Sequence, residues 1–430
     1  MRTFILISLF TTALLLMCCK DDKVSMTTYD PNQPVECTKF IPDSGGVGTQ
    51  LVIQGKNFGT DTSSIRVFVN NKRAFVIGSN GEYIYAVVPS RADTGRIRVE
   101  IGKEEKRKIV EFQKDFIYHF QENVSTLVGQ TNEDGTSAEL DGTLAEAWID
   151  TPVTLAIDRD GDLYVNGWRK GIRIVSPTMD RVTSPISVSG EFGFIRSPCM
   201  SVTGDTLFMA NDQTSDAGCA ILYATRDHGF MNPKTLVRHS NINGMAVNPK
   251  DGSIFYSRKQ KGEIFRWDKD TKASISQINL GVDYENSLCF SKDGKTLYIL
   301  GKAQHVIFKA TYDFKSKTLK DATIFVGKSY ESGNKLGVGQ ECRINTPCQG
   351  VCDDDGNLYF CDSANNCIRK VTPAGTMTTY AGQPGSVVGY KDGLPSEASF
   401  NYPEGITIDK NGIIYVCDAR NHRIRQILVE

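Results

Sequence analysis

An internal repeat between residues 154 and 416 constrains the fold of this chain more than any other feature of its sequence. Each copy contains an apolar strand, a turn with Asp or Gly, and a second strand with an aromatic residue, which is the pattern of a β-hairpin. The repeated aromatic residues are Tyr164, Phe208, Phe255, Tyr298, Tyr359 and Tyr415. A four-stranded sheet that recurs at this period is typical of a β-propeller blade, so the six copies predict six blades.

Composition limits the partners of the chain. Its 430 residues include 49 Lys and Arg against 50 Asp and Glu, which gives a formal charge of −1. No long-range field would recruit nucleic acid, and we expect no nucleic-acid partner. The length exceeds what one hydrophobic core normally supports, so two or more domains are expected.

The N-terminus carries an export signal. The apolar run Phe4–Met17 is too short to span a bilayer but suits the core of a signal peptide. Its end, Leu14–Cys19, resembles a bacterial lipobox, and that resemblance implies acylation of a cysteine and firm membrane anchoring. Cys19 follows a smaller residue than Cys18 does and is sterically the better acceptor, but both stay open. An ordinary cleaved signal peptide is the alternative.

The segment after the lipobox indicates where the protein is located in the cell, and it is followed by two predicted domains. Lys20–Lys23 resembles the acidic sequence that sends some gram-negative lipoproteins to the exterior face of the outer membrane. We therefore expect an outer-membrane protein that is lipid-anchored and faces the cell exterior. The predicted parts are a signal peptide with lipobox (1–19), a tether (20–34), a first domain (35–118) and the repeat domain (123–430).

The first domain alternates apolar and polar residues between turns, as in Gln50–Gln54 and Tyr83–Val88, which predicts an antiparallel sandwich. The segments Phe40–Gly46 and Val52–Gly59 resemble the IPT/TIG immunoglobulin-like family. That resemblance implies turn glycines with positive φ, a buried Phe58, and a spacer or protein-contact module rather than a catalyst.

The last two copies of the repeat extend its pattern. Asp362–Val371 and Asp418–Ile427, with Thr379–Gln383 and Phe400–Gly405, resemble NHL repeats, and the resemblance covers residues 123–430. The predicted fold is therefore all-β, an immunoglobulin-like sandwich followed by a six-bladed β-propeller.

One segment predicts how the ring closes. Ser125–Gln130 resembles the fourth strand of an NHL repeat but precedes the first copy, whereas the last copy reaches Glu430 just after its third strand. We expect Ser125–Gln130 to complete the last blade, which removes an exposed sheet edge. A ring that does not close is the alternative.

The ten cysteines after the lipobox allow two interpretations. Exported chains can form disulfides, and Cys342, Cys348, Cys361 and Cys367 cluster in one repeat as candidates. Cysteines inside strand patterns, such as Cys289, are instead expected to be small buried apolar residues. Their spacing matches no structural zinc site.

The NHL resemblance implies a ligand face formed by the loops that join strands two and three and those that enter each new blade. Trp168 is the most suggestive residue, because an exposed indole is costly unless a ligand or a neighbouring loop stacks on it. Convergence of Arg169, Lys170, Arg258, Lys259, Lys261 and Lys302 would favour an anionic glycan, and solvated charges are the alternative. The candidate ligand-binding residues are Trp168, Arg169, Arg258, Lys259, Tyr284, Glu285, Tyr402 and Arg420.

Catalytic signals are weak. The histidines occur singly, neither HExxH nor GxSxG is present, and we assign no catalytic residue, metal or cofactor. Related propellers include lactonases and lyases with a metal in the channel, and a comparable carboxylate set would be Asp212, Glu285, Asp362, Glu404 and Asp418. Asp362 and Asp418 also occupy the repeat's own Asp position, where an Asx-type cap of the following loop is expected.

These features together resemble surface lipoproteins of gram-negative nutrient uptake. The leading hypothesis is a non-catalytic protein whose propeller captures a polysaccharide or other nutrient for an outer-membrane transporter. A glycan lyase or hydrolase that uses channel carboxylates, and a protein-interaction scaffold, are the alternatives.

Overall fold

The computed structural model describes residues 28–89, 92–103, 107–168, 171–187, 194–212, 220–239, 241–259, 262–281, 285–385 and 388–429. The chain divides into two compact units, the first ending at Phe120 and the second beginning at Gln121. Within the described residues the only helices are short 3-10 turns, and none could cross a membrane. Cys18 and Cys19 lie outside these residues.

The first unit is a β-sandwich whose strands pair antiparallel, except for one short strand that pairs in parallel. Its strands are β1 (Glu36–Ile41), β2 (Ser44–Gly45), β3 (Gln50–Lys56), β4 (Ile65–Val69), β5 (Lys72–Ser79), β6 (Tyr83–Val87), β7 (Gly95–Ile101) and β8 (Lys108–Tyr118), with a 3-10 turn at Thr62–Ser64. They are arranged in the order β1-β3-β6-β5-β4-β7-β8-β2. The alternation seen in the sequence places one face of each strand in the core, as in β4 with Ile65, Val67 and Val69 buried.

The turn after β3 has the conformation that the IPT/TIG resemblance implies. Phe58 is fully buried, and Gly59 adopts a φ of 71°. A Cβ atom on Gly55 would lie 1.9 Å from the carbonyl oxygen of Glu36, so only glycine fits there. The prediction is confirmed for Phe58 and Gly59, whereas Gly55 is needed for the close approach of β1 and not for a positive φ.

The second unit begins with β9 (Glu122–Val128) and forms six antiparallel blades, five with four strands and the fifth blade with an additional short strand. Blade one has β10 (Pro152–Ile157), β11 (Leu163–Gly167), β12 (Ile172–Ser176) and β13 (Arg181–Ile186). Blade two has β14 (Ile195–Met200), β15 (Thr206–Asn211), β16 (Ala220–Thr225) and β17 (Lys234–Arg238), with a 3-10 turn at Arg226–His228. Blade three has β18 (Ile242–Val247), β19 (Ile254–Arg258), β20 (Glu263–Asp268) and β21 (Ala273–Asn279).

The last three blades include the two, blades five and six, in which the sequence shows the stronger NHL pattern. Blade four has β22 (Asn286–Phe290), β23 (Thr296–Gly301), β24 (Val306–Asp313) and β25 (Thr318–Gly327). Blade five adds the short β26 (Gly337–Val338) to β27 (Pro347–Cys352), β28 (Leu358–Asp362), β29 (Cys367–Val371) and β30 (Thr376–Ala381), and has 3-10 turns at Gly339–Glu341 and Ser363–Asn365. Blade six has β31 (Pro403–Ile408), β32 (Ile414–Asp418) and β33 (Arg423–Val429), with a 3-10 turn at Ala419–Asn421.

The ring closes through β9, as the sequence predicts. Strand β9 pairs antiparallel with β33 and supplies the fourth strand of blade six. Val124 lies opposite Ile427 and Val128 opposite Ile424, and all four side chains are buried. The first strand of the unit thus covers the edge that β33 would otherwise expose.

The cores lie between blades and account for the cysteines. Cys342 packs with the apolar residues of blades four and five, and Cys348 and Cys361 pack in the cluster between blades five and six. All nine described cysteines are free thiols, so the predicted disulfide candidates Cys342, Cys348, Cys361 and Cys367 are wrong. Cys342, Cys348 and Cys361 instead fill apolar space in inter-blade cores, and Cys289 does so as predicted for a cysteine in a strand.

Candidate functional site

The first strand of each blade lines the central channel, because β10, β14, β18, β22, β27 and β31 contact one another in a ring. A pocket opens at the end of the channel where these strands begin, and every blade contributes to it. We call it the channel mouth. Its lining residues are Val153, Thr154, Arg196, Ser197, Asn243, Glu285, Asn286, Ser287, Lys302, Pro347, Cys348, Gln349 and Glu404.

Gln349 forms the floor of the channel mouth. Its Nε2 donates to the carbonyl of Leu155 at 2.8 Å, and its Oε1 accepts from the backbone N–H groups of Leu155 (3.1 Å) and Ile406 (3.2 Å). The side chain therefore joins blade five to blades one and six. It also lines a wider cavity at the other end of the channel, so it separates the two spaces.

Ion pairs surround the mouth. Arg196 lies 2.8 Å from Glu285 through Nη1 and 3.3 Å from Asp212 through Nε, and Lys302 lies 3.3 Å from Glu404. Burial acts to raise the pKa of Glu285, but Lys302 and Arg196 outweigh it and hold that pKa below its usual value. Glu285 is therefore a carboxylate at neutral pH.

Two aromatic rings at the mouth are each covered by an arginine. The guanidinium of Arg196 lies 5.1 Å from the centre of the Trp168 ring, and that of Arg420 lies 4.1 Å from the centre of the Tyr402 ring. Trp168 remains 48% exposed, so part of its indole is open to solvent. Cation–π contact fixes the ring without burying it.

The other residues predicted to bind a ligand do not all lie at the mouth. Arg258 pairs with Glu263 of the same hairpin at 3.0 Å. Lys259 is exposed. Burial raises the pKa of Asp212 although the charges of Arg196 and Lys259 oppose that shift, and the charge of Lys259 also contributes to the lowered pKa of Glu285. Arg169, Lys170, Lys261 and Tyr284 lie outside the described residues. Trp168, Glu285, Tyr402 and Arg420 therefore lie at or beside the mouth, whereas Arg258 is held by its own hairpin.

Sequence reasoning missed Arg196 and Gln349. For Arg196 the available signal was position within the repeat, because the second residue of each channel-lining strand reaches the mouth: Val153, Arg196, Asn243, Ser287, Cys348 and Glu404. A charged or amide residue at this position faces the mouth whatever its local sequence. Gln349 is the third residue of β27 and is not found by this rule.

Three models of known protein families match segments of this chain, one in the first unit and two in the second. Residues 34–118 match the IPT/TIG domain model, residues 400–427 the NHL repeat, and residues 213–389 the SMP-30/Gluconolactonase/LRE-like region. The crystal structure of an auxiliary nutrient binding protein from Bacteroides thetaiotaomicron is 31% identical, with a TM-score of 0.70, over 94% of this chain and 100% of that one. The chain belongs to this family of NHL-repeat β-propeller proteins with an N-terminal IPT/TIG domain.

Other members and partial relatives differ in coverage. An auxiliary nutrient binding protein from Bacteroides ovatus is 29% identical, with a TM-score of 0.79, over 94% of this chain and 100% of that one. NHL repeat-containing protein 2 of Gallus gallus is 42% identical over 147 residues, which is 31% of this chain and 20% of that protein. Protein SUPPRESSOR OF QUENCHING 1, chloroplastic, of Arabidopsis thaliana matches over 23% of this chain and 9% of its own length. The chain thus spans only a small part of those two longer proteins.

In this IPT/TIG–NHL protein, all five carboxylates that could have served a channel enzyme have cationic partners. Asp362 and Asp418 are fully buried and pair with Arg369 (2.9 Å) and Arg425 (3.0 Å). The other three are the mouth carboxylates described above. Within the described ranges, no group of three His, Cys, Asp or Glu side chains is placed to hold a metal ion.

The expected Asx-type cap is not formed by these aspartates. Oδ1 of Asp362 accepts from the backbone N–H of Asn345, in the segment before β27, and Oδ2 accepts from the side chain of Asn365 in the following loop rather than from the backbone of that loop. Oδ1 of Asp418 accepts from Asn401 in the same way. Oδ2 of each aspartate also accepts from the buried arginine of its blade, and each aspartate joins the segment before the first strand of its blade to the loop after the second strand.

Proposed function

We propose that this protein captures a nutrient glycan at the channel mouth and does so without chemical conversion. The observation that carries the proposal is the half-exposed Trp168 held by Arg196 at the edge of a polar pocket. An aromatic face beside planar polar side chains suits a sugar. The C–H face of the sugar ring packs on the indole, and the sugar hydroxyl groups form hydrogen bonds with the polar side chains. The Bacteroides relatives named as auxiliary nutrient binding proteins support a binding role.

We further propose that the protein works at the cell surface as a lipoprotein and passes its ligand to an outer-membrane transporter. This rests on the lipobox-like Leu14–Cys19 and the acidic Lys20–Lys23. The IPT/TIG domain would act as a spacer or as the contact to the transporter. Metabolic labelling with a fatty-acid analogue, followed by protease treatment of intact cells, tests both parts. Labelling should be lost in Cys19→Ala or in Cys18→Ala, whichever residue is acylated.

The binding test uses a panel of neutral, uronic and sulfated polysaccharides in affinity electrophoresis and calorimetry. Trp168→Ala should abolish saturable binding. The control is Phe314→Ala, which removes a 38% exposed aromatic ring from the turn between β24 and β25, at the opposite end of the blade. Loss of binding in both variants, or in neither, would contradict a site at Trp168.

A glycan-cleaving or lactone-hydrolysing enzyme is the second candidate, because residues 213–389 match the SMP-30/Gluconolactonase/LRE-like region. The same incubations are therefore assayed for products by chromatography. Accumulation of products would contradict non-catalytic capture and show that the protein is an enzyme. Binding of none of the panel would favour the scaffold hypothesis instead.

A further inference from the structure

Asn286 stands apart from the other amides of the channel mouth. It is the first residue of β22, is only 3% exposed, and neither its Oδ1 nor its Nδ2 has a hydrogen-bond partner within the described part of the chain. Gln349, by contrast, makes three hydrogen bonds across the channel. A buried amide without partners is costly, so such a group is kept where something else completes it.

The space in front of Asn286 is small. The mouth has a cavity volume of about 50 Å³. A water molecule needs about 10–15 Å³ on this measure, so the cavity has room for a few waters or for one hydroxyl or hydroxymethyl group. A whole sugar ring would stay outside, at the level of Trp168.

The charges around the mouth disfavour an anionic group. Arg196 is already bound by Asp212 and Glu285, and Lys302 by Glu404. Among the described residues that line the cavity, the cations are Arg196 and Lys302, whereas Lys259 and Arg420 do not line it. Both lining cations are held by carboxylates, so an entering carboxylate or sulfate would have to compete with those carboxylates. A hydroxyl group can donate to a carboxylate while it accepts from an amide.

We infer that Asn286 receives a hydroxyl group of a neutral saccharide, and that the channel mouth selects neutral over anionic glycans. This inference rests on the proposed function and narrows its ligand class. The amide offers one acceptor and one donor side, which a hydroxyl complements as both donor and acceptor.

The test compares Asn286→Leu and Asn286→Ala with the wild-type chain. The probes are laminarin and galactomannan as neutral glycans, and polygalacturonate and chondroitin sulfate as anionic ones. Because the side-chain amide of Asn286 makes no hydrogen bond with the described residues, Asn286→Leu should keep or raise the Tm and weaken neutral-glycan binding at least tenfold. The control is Asn248→Leu, since the fully buried Asn248 donates to the Gly294 carbonyl at 2.8 Å and accepts from Lys250. That variant should lower the Tm and keep the affinity.

The outcomes separate the inference from the proposed function. Neutral-glycan binding that persists within threefold in both Asn286 variants would overturn the inference and leave glycan capture standing. Binding of the wild-type chain to the anionic probes but not to the neutral ones would also overturn the inference and leave glycan capture standing. Absence of binding to all four probes would overturn both. A Tm that falls in Asn286→Leu as far as in Asn248→Leu would show a structural role and overturn the inference.

Discussion

Nδ1 of His305 accepts a hydrogen bond from the backbone N–H of Thr346 at 3.0 Å, and this bond joins the fourth blade to the fifth. His305 adopts a left-handed conformation with a φ of 55° in the turn between β23 and β24. The next two junctions repeat the bond, from Tyr402 to Oδ1 of Asn366 at 2.9 Å and from Thr151 to Nδ1 of His422 at 3.1 Å. A histidine or an asparagine therefore serves the same inter-blade contact.

This contact predicts a pH dependence of stability. Burial lowers the pKa of His305 below its ordinary value of 6.5, so the unfolded chain takes up the proton first as the pH falls. The stabilising contribution is complete above pH 6.5 and declines below it, because protonated Nδ1 can no longer accept from Thr346. His305→Asn should keep the bond, worth about 0.5–1.5 kcal/mol, and flatten the decline in Tm between about pH 6.5 and pH 5.

Calorimetric melting of both proteins across this pH range checks the prediction. His228→Asn is the control, since His228 is exposed on the turn after β16, and it should follow the wild-type curve. An unchanged slope in His305→Asn would mean that other groups dominate the acid response.

A second prediction concerns the buried Arg425, which forms ion pairs with one buried and one exposed aspartate. Asp418 lies 3.0 Å from it with neither side chain exposed, whereas Asp392 pairs with it and is 48% exposed. Removing a buried partner leaves an uncompensated charge, so Asp418→Asn should lower the free energy of unfolding by about 3–5 kcal/mol. Asp392→Asn should cost less than about 1 kcal/mol. Guanidinium titrations that give equal losses would contradict the role assigned to burial.

A third prediction follows from ring closure by β9. A chain that begins at residue 121 retains β9 and should unfold in one cooperative transition, whereas a chain that begins at residue 131 lacks it. The shorter chain exposes the edge of β33 and the apolar side of Ile424 and Ile427, so it should self-associate. Size-exclusion chromatography and thermal melting compare the two. A monomeric, cooperatively folded shorter chain would show that closure is dispensable.

The sequence predicts the blades well because their signals are local. Strand alternation, Asp-Gly turns and a repeated aromatic residue all lie within one hairpin, and even the closing strand has its own recognisable pattern in Ser125–Gln130. The site is harder to predict because its contacts join different blades. Nothing near Trp168 in the sequence indicates that Arg196 of the next blade will cover it.

Charge and cysteine patterns are misleading for a related reason. The basic residues of the loops can be read from the sequence, but their partners cannot, and Lys302 is in fact paired with Glu404 from another blade. Cys342 and Cys348 are close in sequence, yet they lie in different inter-blade cores. A disulfide requires a distance and an orientation that clustering in the sequence does not supply.

The fourth prediction concerns the buried thiols. Burial raises the pKa of the fully buried Cys361 thiol well above its usual value, and Cys289 and Cys352 approach each other to 3.9 Å in the core between blades four and five without forming a bond. Such thiols are protonated and inaccessible, so they should not react with Ellman's reagent in the native protein and should react fully in guanidinium. Dithiothreitol should leave the Tm unchanged. A Tm that falls with reductant in the wild type but not in Cys352→Ala would instead reveal a Cys289–Cys352 disulfide in the exported protein.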